Sequence, residues 1–471
     1  MKKFIVSILV LLCIIAGFCT PLTATAETES SNYSGVYGQI DEYLGSAFKA
    51  ARIPSASVVI VDKDSVQFDR AYGNCPDTQT PFLLGSVSKS FTALCIMKLC
   101  EDGMIDLNAN ISTYLPDARY GKEITVIQLL NHSAGIDTYQ TLKNYKVGKN
   151  RGKHVYANVN YTLLGQIIES VSGVSYEEYV EQNIFEPLKM TKSAASLQKA
   201  EANGLITGYE NFFGFNVSKK PQYPKDYNDW ITVPAGYLSS SATDLGKYLQ
   251  SYITSLNGEK VIVSQEGVNQ MFTDGVDVGG EIPYRYCMGW NRIREPLEET
   301  VLRHSGLVET GMSCIYVLPE RGLGVAVLIN TNDFLVAQNM MDSIDWSVTL
   351  MLLSMQPNSI ANWEYPLYHF LYDMLFIIIF AIAVLPLALL KVHIKRLPRG
   401  KRWVKICALI ALHAVLPTLI LLFPIIFVST PLWVVNAFVP DLFAVLAISS
   451  LLLYAGGVVK SALWIYLKKR S

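Results

Sequence analysis

Leu84-Gly85-Ser86-Val87-Ser88-Lys89 leads into an apolar run over residues 91–100 that stops at Glu101-Asp102-Gly103. The run predicts a buried helix, with Gly103 suited to the position just past its end. Ser86 then falls at the helix N-terminus, and Lys89, three residues on, shares its face. Unpaired backbone N–H groups and the helix dipole favour negative charge at that end. A hydroxyl, a nearby amine and oriented N–H donors are the components of an activated serine. The same S-x-x-K spacing recurs at Ser196-Leu197-Gln198-Lys199. Context separates the two, because only Ser86 opens an apolar helix directly after a strand pair.

Working outward, residues 37–53 read as a helix with Ile40, Leu44 and Phe48 at four-residue steps. Residues 56–61 and 65–72 read as two strands around the turn Asp62-Lys63-Asp64. Residues 312–318 and 324–330 read as a second pair around Pro319-Glu320-Arg321-Gly322, and 332–351 as a closing helix. Strand pairs at both ends of a helical middle predict an α+β unit. It has one antiparallel sheet closed by its two termini, covering helices and a helical subdomain alongside. Residues 200–235, rich in Gly, Tyr, Asn and Pro, read as loops near a site mouth.

Two further triplets fall at places that could face a cleft. Tyr156-Ala157-Asn158 precedes an apolar helical pattern ending at Gly173; a tyrosine can move a proton and an asparagine can hold a substrate amide. Y-x-N also occurs at Tyr72-Gly73-Asn74 and Tyr209-Glu210-Asn211. His304-Ser305-Gly306 enters the last strand pair, where Gly306 would let a substrate backbone approach closely. Lys146-Val147-Gly148 is a rival basic-x-Gly triplet in a polar loop.

Of the 471 residues, 51% are hydrophobic and 17% charged, too apolar for a disordered chain or an ordinary soluble one. The net charge of −1 conceals an asymmetry. Residues 369–471 carry 11 Lys/Arg against 2 Asp/Glu, whereas residues 27–368 carry 26 against 38. The acidic body argues against nucleic acid as a partner. Lys2 and Lys3, the apolar residues 4–18 and Ala24-Thr25-Ala26 read as a signal peptide over residues 1–26. Residues 370–390, 406–428 and 442–467 are each long and apolar enough to cross a bilayer. Basic residues crowd 391–405 and 468–470, while 429–441 contain none. By the positive-inside rule the C-terminus lies in the cytoplasm and residues 27–369 outside. This predicts a multi-pass cell-membrane protein, with an outer domain at 27–351, a linker at 352–369 and a membrane domain at 370–471. Lys460 is expected to reach the inner surface with its long stem, and Pro417 and Pro424 to kink their helix. Cys75, Cys95, Cys100, Cys287 and Cys314 form an odd set without C-x-x-C pairs. They specify neither a disulfide framework nor a zinc site, and no metal or cofactor is expected.

S-x-x-K on a helix, Y-x-N before a later helix and H-x-G entering the last strands, in that order, resemble the serine beta-lactamase and penicillin-binding family. The class C branch, with its D-alanyl-D-alanine peptidases and esterases, is the most similar. Residues 124–136, 233–240 and Met288-Gly289-Trp290 add to the likeness, which covers roughly residues 35–350. The resemblance implies a five-stranded antiparallel sheet flanked by helices, plus a helical subdomain. It implies that Ser86 forms an acyl-enzyme and that Lys89 and Tyr156 move its proton. Backbone N–H groups of Ser86 and Leu307 would hold the oxyanion. Asn158, Ser305 and Gly306 would bind substrate, and His304 would stand where many relatives carry Lys. That histidine departs from Lys-Thr-Gly and implies weak beta-lactam hydrolysis. The three spans look like those of prodrug-activating peptidases. The expected activity is hydrolysis of a small peptide, amide or ester by an enzyme held in the lipid bilayer, directed to D-amino acids. A penicillin-binding sensor or a non-catalytic binding module is the alternative, and the sequence sets no oligomeric state.

Overall fold

The structure, a computed structural model, describes residues 34–279, 284–294, 297–396 and 401–470. The signal-peptide reading of residues 1–26 lies outside these. The chain begins with α1 (Gly35–Ala50), β1 (Ser55–Val61) and β2 (Val66–Gly73). α2 (Ser88–Glu101), α3 (Asn158–Ser172) and α4 (Ala242–Leu256) follow in the helical middle. Then come β3 (Val276–Asp277), β4 (Tyr284–Cys287), β5 (Trp290–Ile293), β6 (Val301–Val308), β7 (Gly311–Leu318), β8 (Leu323–Ile329) and α5 (Ala337–Leu352).

The strands form one antiparallel sheet in the order β2-β1-β8-β7-β6-β5-β4-β3. Its first five members are the expected sheet, and three short strands extend it past β6. Closure by the two ends is explicit: β1 pairs with β8 from Ala56 opposite Ile329 to Val61 opposite Gly324. All seven residues of β1 are buried, because the strand is covered on both faces. Ala56, Val58 and Ile60 pack with α1 and α5 through Leu44, Phe48 and Ile344. Val59 and Val61 pack on the other face with Leu245 and Leu249 of α4. A strand sandwiched this way reads as an unbroken apolar run instead of an alternating one. α2 is buried from Ser88 to Met97, as an all-round apolar helix must be.

Beyond α5 lie α6 (Glu364–Val392), α7 (Arg402–Val428), the short α8 (Leu432–Phe438) and α9 (Pro440–Leu467). α6, α7 and α9 are long and apolar enough to cross a membrane, which suggests membrane anchoring. Ahead of Pro417 the helix widens into a π turn over Ala411–Val415. Lys460 does not run to the surface: its Nζ sits 2.9 Å from His413 Nε2, while His413 Nδ1 donates to Leu453 O at 2.5 Å. Gly456 and Gly457 of α9 pack directly on the His413 ring. The apolar helices also touch the sheet-bearing unit. His369 Nε2 lies 2.7 Å from Asp333 Oδ2, Asn211 Nδ2 donates to Tyr365 Oη at 2.8 Å, and the Phe213 N–H donates to Asp441 Oδ2 at 3.2 Å.

Candidate active site

Ser86 lies in a 3-10 turn, Gly85–Val87, that feeds α2. Gly85 has φ +51°, and a Cβ there would collide with the Leu307 backbone nitrogen. Only glycine allows this turn to sit against β6. One helical turn on, Lys89 is completely buried. Its Nζ lies 2.6 Å from Ala235 O, 2.8 Å from Asn158 Oδ1 and 3.0 Å from Ser86 Oγ. Burial holds the Lys89 amine well below the ordinary lysine range. A neutral amine has two N–H bonds and one lone pair. Ala235 O and Asn158 Oδ1 can only accept, so they take the two N–H bonds. The lone pair is left for the Ser86 hydroxyl. Asn158 reaches Lys89 as the first residue of α3, and Ala235 lies in the one-turn helix Val233–Gly236.

Tyr156 hydrogen-bonds Ser86, and its ring centroid is 4.8 Å from Lys89 Nζ. Burial raises its hydroxyl above the usual tyrosine range, so the phenol keeps its proton and is suited to donating it. His132, at φ +53°, is buried beneath Tyr156 with ring centroids 4.2 Å apart. Its Nδ1 accepts from the Ala157 N–H at 3.3 Å and pairs with Asn160 Nδ2 at 2.9 Å. His132 thereby fixes the corner that carries Tyr156 and Asn158. Burial pushes its pKa well down.

His304 reaches this cluster from β6. Its Nδ1 donates to Ser305 O at 2.8 Å, and its Nε2 lies 3.2 Å from Tyr286 Oη on β4. Burial, helped by Lys89, lowers its pKa to about 3. It is a neutral group held by a tyrosine and supplies no positive charge for a substrate carboxylate. Gly306 has a different reason from the expected one. A Cβ there would overlap Leu84 O and stand 2.7 Å from Ser313 Oγ and 2.9 Å from the Ser86 nitrogen. The close approach is that of the protein's own 84–86 backbone. Ser313 Oγ, opposite Gly306 on β7, donates to Leu84 O at 2.5 Å and clamps the same contact. The backbones of Ser86 and Gly306-Leu307 thus run side by side, with Ser305 next to them on β6.

Ser86, Lys89, Tyr156, Asn158, His304, Ser305, Gly306 and Leu307 therefore come together at one place. The rival motifs do not. Ser196 caps a short helix by accepting from the Lys199 N–H, and Lys199 pairs with Glu181 at 2.7 Å. Asn211 is occupied with Tyr365, and Tyr72 donates to Asp41 at 2.9 Å. The sequence reading missed the Ala235 carbonyl, which has no side-chain signature, and His132 and Tyr286. His132 lies within residues 124–136, which the family resemblance picks out, and that is the one signal for it.

A serine facing a desolvated lysine amine at a helix N-terminus, beside the inner edge of this sheet, defines a serine hydrolase of beta-lactamase type. The chain belongs to the Beta-lactamase family, which matches residues 40–346. It is 27% identical over 325 residues to Protein flp of Staphylococcus aureus (strain N315), covering 62% of this chain and 63% of that protein. It is 29% identical over 237 residues to the Teichoic acid D-alanine hydrolase of S. aureus (strain MRSA252), covering 45% of this chain and 56% of the relative. The chain thus spans less than two thirds of the length of these relatives. The octameric penicillin-binding protein homologue from Pyrococcus abyssi superposes with a TM-score of 0.60 at 29% identity, over 70% of this chain and 80% of that one.

Proposed function

We propose that this chain is a membrane-anchored serine hydrolase whose catalytic unit lies outside the cell. It cleaves a peptide, amide or ester through an acyl-enzyme, with preference for D-amino acid substrates. The observation that carries this reading is the Lys89 amine, buried, saturated by two acceptors and 3.0 Å from Ser86 Oγ. The D-alanine hydrolase among the relatives supports the substrate class. The basic residues between α6 and α7, set against none between α7 and α9, support the orientation.

In this mechanism the Lys89 lone pair takes the hydroxyl proton as Ser86 Oγ bonds to the carbonyl carbon. The carbonyl electron pair moves to oxygen, where the N–H groups of Ser86 and Leu307 hold it. Asn158 Nδ2 orients the substrate amide. Collapse re-forms the C=O and breaks the bond to the leaving group, which takes a proton from Tyr156; Lys89 returns one to Tyr156. Water then attacks the acyl-enzyme, gives a proton to Lys89, and Ser86 leaves with its proton restored.

A fluorescent acylating probe and a panel of D-amino acid peptides and esters, used on the full chain and on Ser86→Ala, test this. Labelling and turnover should both vanish in Ser86→Ala. Labelling without turnover in the unaltered chain would instead make it a sensor. Turnover that survives in Ser86→Ala would remove Ser86 from the mechanism.

A further inference from the structure

Residues 208–219 form a hairpin beside the catalytic sheet. Gly208–Phe212 pairs antiparallel with Phe215–Lys219, and Phe212 faces Phe215 across the two-residue loop Phe213-Gly214. Both loop residues have positive φ, +53° at Phe213 and +77° at Gly214. Asparagine, aspartate or glycine ordinarily fills the first position of such a tight turn, because a bulky side chain is strained there. A phenylalanine persists in this conformation only where its surroundings hold it. The tip reads Phe212-Phe213-Gly214-Phe215, three aromatic rings where a turn facing water carries polar residues.

The contacts that hold it come from the membrane-length helices. The Phe213 ring meets Phe376 of α6 edge to face at 5.9 Å, and a Cβ on Gly214 would lie 3.4 Å from the His369 ring. Phe376 stands three residues, about 4.5 Å along the helix axis, past Asp373, the one charged residue of 370–390. In the orientation proposed above this is the outer end of α6, so the tip lies level with the first apolar turn of the span. The N–H groups of the loop are satisfied within the chain, Phe213 by Asp441 Oδ2 at 3.2 Å and Gly214 by Asn211 Oδ1 at 2.9 Å. A backbone that leaves water requires this. Phe215 is nevertheless 73% exposed, and Phe212 and Val217, on the same face of the hairpin, are exposed with it. Farther from the tip that face changes character: Glu210, opposite Val217, pairs with Lys219. An aromatic tip followed by a charged pair matches the change from acyl chains to headgroups at a bilayer surface.

We propose that the 212–215 tip is an interaction surface of the catalytic unit for the lipid bilayer. Its exposed rings lie among the upper acyl chains of the outer leaflet, with Glu210 and Lys219 at the level of the headgroups. The root of the hairpin is tied to the catalytic sheet. Tyr209 and Glu210 pair with Thr331 and Asn332 directly after β8, and Asn330 Nδ2 donates to Thr207 O at 2.8 Å. Immersion of the tip therefore sets the height and tilt of the sheet above the membrane. This rests on the membrane-anchored reading and adds to the helices a lipid contact made by the catalytic unit itself.

The test places p-benzoylphenylalanine, one position at a time, at Phe215, Ile378 and Val66 of the full chain reconstituted in phosphatidylcholine–phosphatidylglycerol vesicles. Lipid adducts formed on illumination are measured by mass spectrometry. Ile378 is exposed on α6. Val66 is exposed and pairs with Val61 at the far end of β1, whose near end follows Arg52, a residue lying over the Tyr365 ring of α6. Adducts at Phe215 should come within about threefold of those at Ile378 and exceed those at Val66 by about tenfold or more. Adducts at Phe215 no higher than at Val66, with Ile378 labelled, overturn the proposal and leave the anchored reading standing. An Ile378 without adducts sinks the anchored reading, and the proposal with it. Crosslinks from position 215 to a second copy of the chain would assign the rings to a dimer and refute the lipid contact. Should the Phe215 replacement not fold, the unaltered chain in vesicles holding a phospholipid with a diazirine in its acyl chain decides the matter. Adducts in the tryptic peptide 200–219 and not in 64–70 support the contact, and adducts confined to the membrane-length helices refute it.

Discussion

Gly306→Ala isolates the alignment of β6 with the serine turn. The added Cβ would overlap Leu84 O and stand 2.7 Å from Ser313 Oγ and 2.9 Å from the Ser86 nitrogen. Ordinary contact begins near 3.4 Å, and two of the three neighbours sit on backbone that cannot rotate away. Relief therefore requires β6 and the 84–86 turn to separate by about 1 Å, a displacement that can cost about 100-fold when it falls on positioned groups. The affected groups are the two N–H donors proposed for the oxyanion, where loss of one donor costs about 100- to 1,000-fold in kcat. Overpacking of this kind also destabilises by about 1–3 kcal/mol. The expected result is a kcat at least 100-fold below that of the unaltered chain, with Lys89 and Ser86 still in place. Steady-state kinetics on a D-amino acid ester, with a thermal melt to confirm folding, measure it. A folded Gly306→Ala protein with kcat within about twofold of the unaltered chain would show that β6 does not set the oxyanion geometry.

Burial lowers the pKa values of His132 and His304 below the ordinary 6.5, His304 to about 3. Both stay neutral in the fold while the unfolded chain takes up protons. Their contribution is intact above pH 6.5 and is lost as pH falls, by about 2 kcal/mol at pH 5 for His304, with His132 adding a loss in the same direction. Melting of the full chain in detergent at pH 7.5 and 5.0 should show the drop, and His304→Asn should shrink it; an unchanged difference would contradict the cause. Gly45 lies exposed on α1 with no atom within 4 Å of an added Cβ. Gly45→Ala should therefore raise stability by about 0.5–1 kcal/mol through helix propensity, read as a higher melting temperature. Because His304 is neutral and held by Tyr286, cephalosporin hydrolysis by the purified chain should be slow. Steady-state turnover above about 100 s⁻¹, within the range of dedicated enzymes, would refute this.

What was legible in the sequence is local. Ser86 and Lys89 share a face because three residues make most of a helical turn. β1 and β8 announce themselves as continuous apolar runs because both their faces are buried. The parts that escaped depend on register between distant elements. Tyr286 meets His304 because β4 and β6 flank β5 in the sheet, and the Tyr286–His304 contact keeps the imidazole away from the role a lysine plays in relatives. Lys460 meets His413 only through the packing of α9 on α7, so a long side chain that could have reached water instead stays inside. The edge-to-face contact of Trp433 with Trp230 joins residues about two hundred positions apart, and no periodicity in either segment points to the other.

The two S-x-x-K motifs make the division plain. In both, backbone geometry places a serine at a helix start and a lysine one turn on. Lys199 reaches solvent and pairs with Glu181, and Ser196 spends its oxygen on the helix cap. Lys89 is fully buried; among the described residues its amine is hydrogen-bonded to Ser86, Asn158 and a carbonyl 146 positions away in sequence, with the Tyr156 ring beside it and no carboxylate among its partners. Spacing is identical and chemistry is opposite, because a base is made by desolvating the amine and giving its N–H bonds acceptors that carry no charge. Replacing Asn158 by Asp would reverse that logic with a single atom: a carboxylate 2.8 Å from Nζ would favour the ammonium, remove the lone pair from Ser86 and shift the rising limb of the pH–rate profile to higher pH.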